Sequence, residues 1–171
     1  MRRLLGALAT RWRLRRCASV GPGAVARGYI WVHGRGSVHV GAGVVLDGSH
    51  HPIELHAVEK DSQLFIGDGA LVSGGVSIES VVSVHLGARS RLGGFSRVMD
   101  NNFHPLVGDR LVRPPSSPVR IGDDVEIGPR AILLAGSQVG SGATVGPATV
   151  ISRRSPVPDG ASASGMPAVI A

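Results

Sequence analysis

The chain has 171 residues, of which 25 are glycine, 43% are apolar and only 4% are aromatic; that is one core's worth of chain, and the mix excludes an aromatic-rich sandwich or a bundle of strong helix formers. Eighteen basic and 12 acidic groups give a net charge of +6, yet residues 1–16 hold six arginines (Arg2, Arg3, Arg11, Arg13, Arg15, Arg16) and no acid, so the rest carries 18 − 6 = 12 basic against 12 acidic groups. A neutral body with one short basic arm argues against a nucleic-acid partner, and a single cysteine, Cys17, excludes an intrachain disulfide or a multi-cysteine metal cluster.

Residues 1–19 read as one unit. Leu4, Leu5, Leu8 and Trp12 recur at helical spacing among the arginines, which predicts a short amphipathic helix. Two roles fit it: a cap hiding the apolar end of whatever follows, or a helix lying on an anionic membrane, where each basic side chain adds about 1 kcal/mol. Its apolar run is too short for a signal peptide or for the roughly 18 residues of a membrane span, so the expected location is cytoplasmic, peripheral at the inner face of the membrane if the second role holds.

Residues 20–171 read as a second unit with a period that is neither 2 nor 3.6. Aliphatic residues recur every sixth position at Ile121, Ile127, Leu133, Val139, Val145, Ile151 and Val157, and glycine follows four of them. The same step appears at Ile66, Val72 and Ile78, again at Leu86, Leu92 and Val98 after an offset of two, and faintly at Val40 and Leu46. So short a period predicts an all-β parallel β-helix, each hexapeptide forming one flat side of a three-sided coil with its aliphatic residue inside and small residues at the corners. Periodicity does not fix the hand, and crossovers between parallel strands are right-handed in about 98% of cases. Two stretches break the step: residues 47–63, and the proline-rich residues 99–118, which predict a loop projecting from the coil. Residues 158–171 form a C-terminal tail.

The string Val98-Met-Asp-Asn-Asn-Phe-His-Pro-Leu106 holds the candidate chemistry. If it stays extended, Asp100, Asn102 and His104 share one face, with Pro105 restricting the backbone of His104. A neutral imidazole bonded through one nitrogen takes a proton through the other, which suits a general base for an alcohol or amine acceptor.

The strings Ile121-Gly-Asp-Asp-Val-Glu-Ile-Gly and Val139-Gly-Ser-Gly-Ala-Thr-Val-Gly, with the closing Gly165-Met-Pro-Ala168, resemble the hexapeptide-repeat acyltransferases over residues 20 to 171. The resemblance implies a left-handed β-helix and a homotrimer with acetyl-CoA held in the cleft between neighbouring coils. The Asp-x-Asn-x-His string is similar to the Asp-x-Asp-Phe-His-Pro-Leu segment of members that O-acetylate sugars and surface polysaccharides, where the histidine is the general base. By position, His104 is then the base for direct attack of a sugar, glycolipid or polysaccharide hydroxyl on the thioester, and Asp100 and Asn102 orient the ring or the acceptor. Asn102 stands where an acid is usual, which leaves Asp100 as the expected partner of the ring. The same resemblance places the pantetheine arm against Ala131, the CoA phosphates near Ser152, Arg153 and Arg154, and the groove's closing turn at Gly165, Pro167 and Ala168. Glu126 stands where relatives often carry tryptophan, so no contact of that residue is transferred.

Two other readings stand beside this one. A non-catalytic hexapeptide scaffold would bind a partner through its loop. A γ-class carbonic anhydrase, which shares the fold, would need three zinc-binding histidines, for which His51, His56 and His85 are the candidates; their order is the reverse of that class, and no metal is expected.

Overall fold

The structure, a computed structural model, describes residues 2–171 except 103, 105, 106, 110 and 113, with side chains described from residue 6 onward. One helix, α1 (Arg2–Arg13), precedes strands that are almost all parallel. They wind into a left-handed parallel β-helix, so the hand that periodicity left open is the one the resemblance implied.

Three flat faces follow from the strand pairing. Val40, Ile66, Leu86, Ile121, Val139 and Val157 stack on the first face. Ala26, Leu46, Val72, Leu92, Ile127, Val145 and Ala163 stack on the second. Val32, Leu55, Ile78, Val98, Leu133 and Ile151 stack on the third. Every one of these side chains is at most 6% exposed, so each six-residue step carries the chain from one interior column to the next. Rungs joined by ladder bonds lie about 4.8 Å apart, which leaves columns of Val, Ile and Leu in contact and little room for rings.

The three edges differ. From first face to second the step is always six, from Val40 to Leu46 and on through Val157 to Ala163. From second to third it departs once, between Leu46 and Leu55, where the long strand Val45–Ala57 turns the corner through Gly48-Ser-His-His-Pro52 with a shift of register against Val25–Gly34. The break read over residues 47–63 is thus strand up to Ala57 and a turn after it. From third to first the step is longer than six in four consecutive coils: Val32 to Val40, Leu55 to Ile66, Ile78 to Leu86, and Val98 to Ile121. The two-residue offset in the sequence and the loop of residues 99–118 belong to this one edge.

Close approach makes glycine necessary on the regular edge. A Cβ at Gly87 would lie 2.2 Å from the carbonyl oxygen of Gly122 on the next coil, a distance no side chain tolerates. Two positions later the backbone turns through positive φ, and there Arg89 (57°) and Asp124 (56°) take the place of glycine. Their bidentate ion pair, 2.6 Å at both contacts, offsets part of that strain.

Helix α1 covers the starting end of the tube. Leu14, just past its last turn, is 1% exposed in the core, and the hydroxyl of Thr10 accepts a hydrogen bond from the amide of Ala26 at 3.1 Å. Arg13 donates to the carbonyl of Gly28 at 2.7 Å. The outer edge of Val25–Gly34 is thereby partly satisfied. Cys17 packs against this cluster, and burial pushes its thiol up to about 12, which keeps it protonated and unreactive.

Candidate active site

The irregular edge gathers the three residues expected to carry the chemistry, Asp100, Asn102 and His104, and brings Arg153 beside them. The strand Arg97–Met99 ends at Met99, and beyond it both Asp100 and Asn101 are fully buried while Asn102 and His104 are exposed. The alternation that would put Asp100, Asn102 and His104 on one face therefore stops at Met99, because the chain leaves the ladder there. Phe103, Pro105 and Leu106 lie outside the described residues, and with them the expected restraint of His104 by Pro105.

Asp100 is clasped by main chain. Its carboxylate accepts hydrogen bonds from the amides of Val81 and Val82, each at 2.7 Å, and from the hydroxyl of Ser80 at 3.3 Å. These donors lie in the two-residue excess between Ile78 and Leu86, so the extra residues of one coil form the cradle for the acid of the next. The carbonyl of Asp100 accepts from the amide of Ser117 at 2.8 Å, which ties together the two ends of the loop that bears His104. The carbonyl of Ser117 in turn accepts from Gly136 at 2.9 Å. A Cβ on Gly136 would lie 3.1 Å from that of Arg153 and 3.4 Å from that of Ser117, so Arg153 sits at the base of the same loop.

Beside Asp100 a polar ladder crosses the outer side of the third face. The Asn101 amide donates to Glu79 at 2.7 Å, Glu79 lies 3.4 Å from Nδ1 of His56, and the His56 ring stacks on His33 with centroids 3.9 Å apart. His33 bonds Glu54 at 2.9 Å, and Ser77 donates to the other oxygen of Glu54 at 2.9 Å. Partial burial opposes ionisation of Glu54, but the bonds from His33 and Ser77 outweigh it and hold its carboxyl below the usual glutamate range. The sequence reading missed Asn101, Glu79 and Ser117. The offset between Ile78 and Leu86 signalled a corner of unusual length, but not what would fill it.

The other expected residues spread over later coils. Ala131 is buried, its carbonyl accepting from Arg97 and its amide donating to Gly128, so its own backbone groups are occupied within the coil. Ser152 closes a turn in which its hydroxyl accepts from the amide of Arg154, leaving Arg153 and Arg154 exposed. Gly165, Met166, Pro167 and Ala168 form the turn of an antiparallel hairpin between Ser162–Ser164 and Val169–Ile170. Glu126 faces outward on the second face between Arg91 and Thr144. A hollow of about 630 Å³ lined by His85, Arg120, Gln138 and Ser141 lies on the first face toward the regular edge, and it includes none of these residues.

The histidines weighed as zinc ligands do not converge. His51 packs against Phe95, His56 belongs to the polar ladder, and His85 lies beside Phe65 on the first face. His33, Glu54 and His56 do bring donor atoms within 4.8 Å of one another. Their rings stack 20° from parallel, and the ladder's own contacts engage them, His33 Nε2 with Glu54 at 2.9 Å and His56 Nδ1 with Glu79 at 3.4 Å.

Residues 118–153 match the family model described as bacterial transferase hexapeptide (six repeats). Over 89 residues the chain is 38% identical to the 2,3,4,5-tetrahydropyridine-2,6-dicarboxylate N-acetyltransferase of Staphylococcus aureus, a match covering 52% of this chain and 30% of that enzyme, so the chain spans under a third of the curated relatives it matches. Among solved structures it resembles a hexapeptide-repeat acetyltransferase of Vibrio cholerae with a TM-score of 0.70 at 17% identity, covering 97% of this chain and 79% of the other. It resembles an N-acyltransferase of Bacillus cereus, solved with dTDP and coenzyme A, with a TM-score of 0.72 at 14% identity, covering 91% and 83%. At these identities the likeness to the solved structures is one of fold. Residues 118–153 thus carry the hexapeptide repeat, and the chain shares the left-handed β-helix fold of these acyltransferases.

Proposed function

We propose that the chain is a CoA-dependent acyltransferase that moves an acetyl group from acetyl-CoA to a hydroxyl of a sugar, glycolipid or polysaccharide precursor. The observation that carries the reading is the pinned loop at the irregular edge: the Ser117–Asp100 bond closes its base, Arg153 stands beside that base, and His104 projects from it exposed. His104 takes the proton of the acceptor hydroxyl as the oxygen attacks the thioester carbonyl. The C–O bond forms, the C–S bond breaks, and the imidazolium returns the proton to the departing thiolate, so no acyl-enzyme is needed. Asn102 contacts the acceptor. Asp100, consumed by the main chain, acts by holding the loop rather than by pairing with the ring. Arg153 and Arg154 offer charge-assisted bonds to CoA phosphates, and the hairpin turn at Gly165, Pro167 and Ala168 closes the far end of the groove against a neighbouring coil of a homotrimer. Ala131, fully buried and with its backbone groups occupied, supports the wall beside the pantetheine arm from within the coil without touching it. The N-acetyl- and N-acyltransferases among the relatives favour an amine as the alternative acceptor.

The test is thiol release from acetyl-CoA with a panel of glycans and amino sugars, alongside CoA-dependent thermal stabilisation. His104→Ala is expected to lower kcat by about 10²–10⁴-fold with the melting temperature unchanged. Near-normal turnover by that variant would remove the assignment. Failure of the wild type both to release thiol and to gain stability from CoA would favour the non-catalytic scaffold.

A further inference from the structure

Helix α1 is anchored on one side only. Thr10 and the following Leu14 face the tube and are buried, while Leu8 and Trp12, one turn apart, are 65% and 66% exposed. Beside Trp12 the first long strand turns Tyr29 and Trp31 outward, 68% and 54% exposed. Trp12, Tyr29 and Trp31 line one hollow of about 240 Å³ together with Arg13, Arg15 and Arg16. The chain has two tryptophans and one tyrosine, and all three stand here. The Arg15 guanidinium lies 4.5 Å from the centre of the Trp12 ring. No acid precedes Asp47 in the sequence, and among the described residues no salt bridge engages Arg11, Arg15 or Arg16. Glu54, opposite Trp31 on the neighbouring rung, is already bonded to His33 and Ser77. We infer that this end of the coil docks on an anionic lipid surface, with Leu8, Trp12, Tyr29 and Trp31 entering the headgroup layer and Arg11, Arg15 and Arg16 facing the lipid phosphates. The charge complementarity selects that partner: exposed Trp, Tyr and Leu ringed by arginines that no acid neutralises among the described residues is the composition of an interfacial anchor, apolar enough to enter and basic enough to choose acidic lipid. The two roles weighed for the amphipathic segment are then compatible, because opposite sides of one helix perform them. The inference stands independently of acetyl transfer.

Both tryptophans report on the surface, so the full chain needs no label. Vesicles of mixed phosphatidylglycerol and phosphatidylcholine are expected to shift the emission to the blue, and brominated acyl chains to quench it, whereas pure phosphatidylcholine leaves it unchanged. Arg11→Gln and Arg16→Gln should each weaken binding by about fivefold, and Leu8→Ser by about tenfold, with the thermal melt of each variant confirming that it folds. The arginine pair, exposed and remote from the core, decides the matter even if Leu8→Ser unfolds. Unchanged emission with acidic vesicles overturns the inference. So does equal binding to neutral vesicles, saturation by soluble glycerol phosphate, or capture of a single-stranded oligonucleotide in preference to the vesicles.

Discussion

The edge between the first and second faces and the edge between the third and first are built from the same hexapeptide, yet one never varies and the other varies in four consecutive coils. The regular edge is held by coil-on-coil contact. Glycines there touch the backbone of the next coil, and side chains pass the same bond upward, as in Ala42 to Asp68 at 2.7 Å, Ala88 to Asp123 at 2.8 Å and Ser141 to Asp159 at 2.8 Å. Such an edge has no room for an insertion. The irregular edge satisfies its backbone with buried side chains from a neighbouring coil, Asp100 above all, and so accepts extra residues. Chemistry can be grafted there without disturbing the columns inside.

The largest effect expected from this contrast is the loss of turnover in His104→Ala with an intact fold, since that residue lies outside the columns. Next is Leu92→Ala, fully buried on the second face, which should cost about 2–5 kcal/mol in chemical denaturation with no direct effect on the loop. A cost below about 1 kcal/mol would mean that the column is looser than its burial indicates.

Asp100→Asn should cost about 1–3 kcal/mol, because an amide has a single acceptor oxygen and turns its NH2 toward one of the two main-chain donors, leaving that donor unmatched. As a positioning residue it should also lower kcat while KM for acetyl-CoA stays within about twofold. Equal losses in both, or none in kcat, would show that the clasp serves stability alone.

The smallest effect concerns pH. Because the native carboxyl of Glu54 titrates below its ordinary value, its contribution is whole above the ordinary glutamate range and fades as pH falls through the native value. After solvent screening it amounts to about 0.5 kcal/mol, so melts of wild type and Glu54→Gln should differ near pH 6 and converge as pH drops toward 3. Curves that stay parallel over that range would break the account of the polar ladder.

The interior columns were legible in the sequence because burial repeats there every six residues: Ile121, Ile127, Leu133, Val139, Val145, Ile151 and Val157 are all buried. The corner glycines were legible as small residues, but for an incomplete reason. Gly87 is required by the neighbouring coil rather than by its own backbone, while Arg89 and Asp124 tolerate the turn as residues with a Cβ. The loop's position was legible, and its anchoring was not. Asp100 meets Val81 and Val82, far away along the chain, and no local pattern encodes a bond made between coils.

The hairpin at the C-terminal end carries a further consequence. A parallel solenoid that finished on a bare rung would present a template to any similar chain, and copies could grow end to end into filaments. Here the next ladder position beyond Ser162–Ser164 is taken by Val169–Ile170 running in the opposite direction. That reversal covers the open edge of the last parallel rung on the second face, so no parallel template is left there.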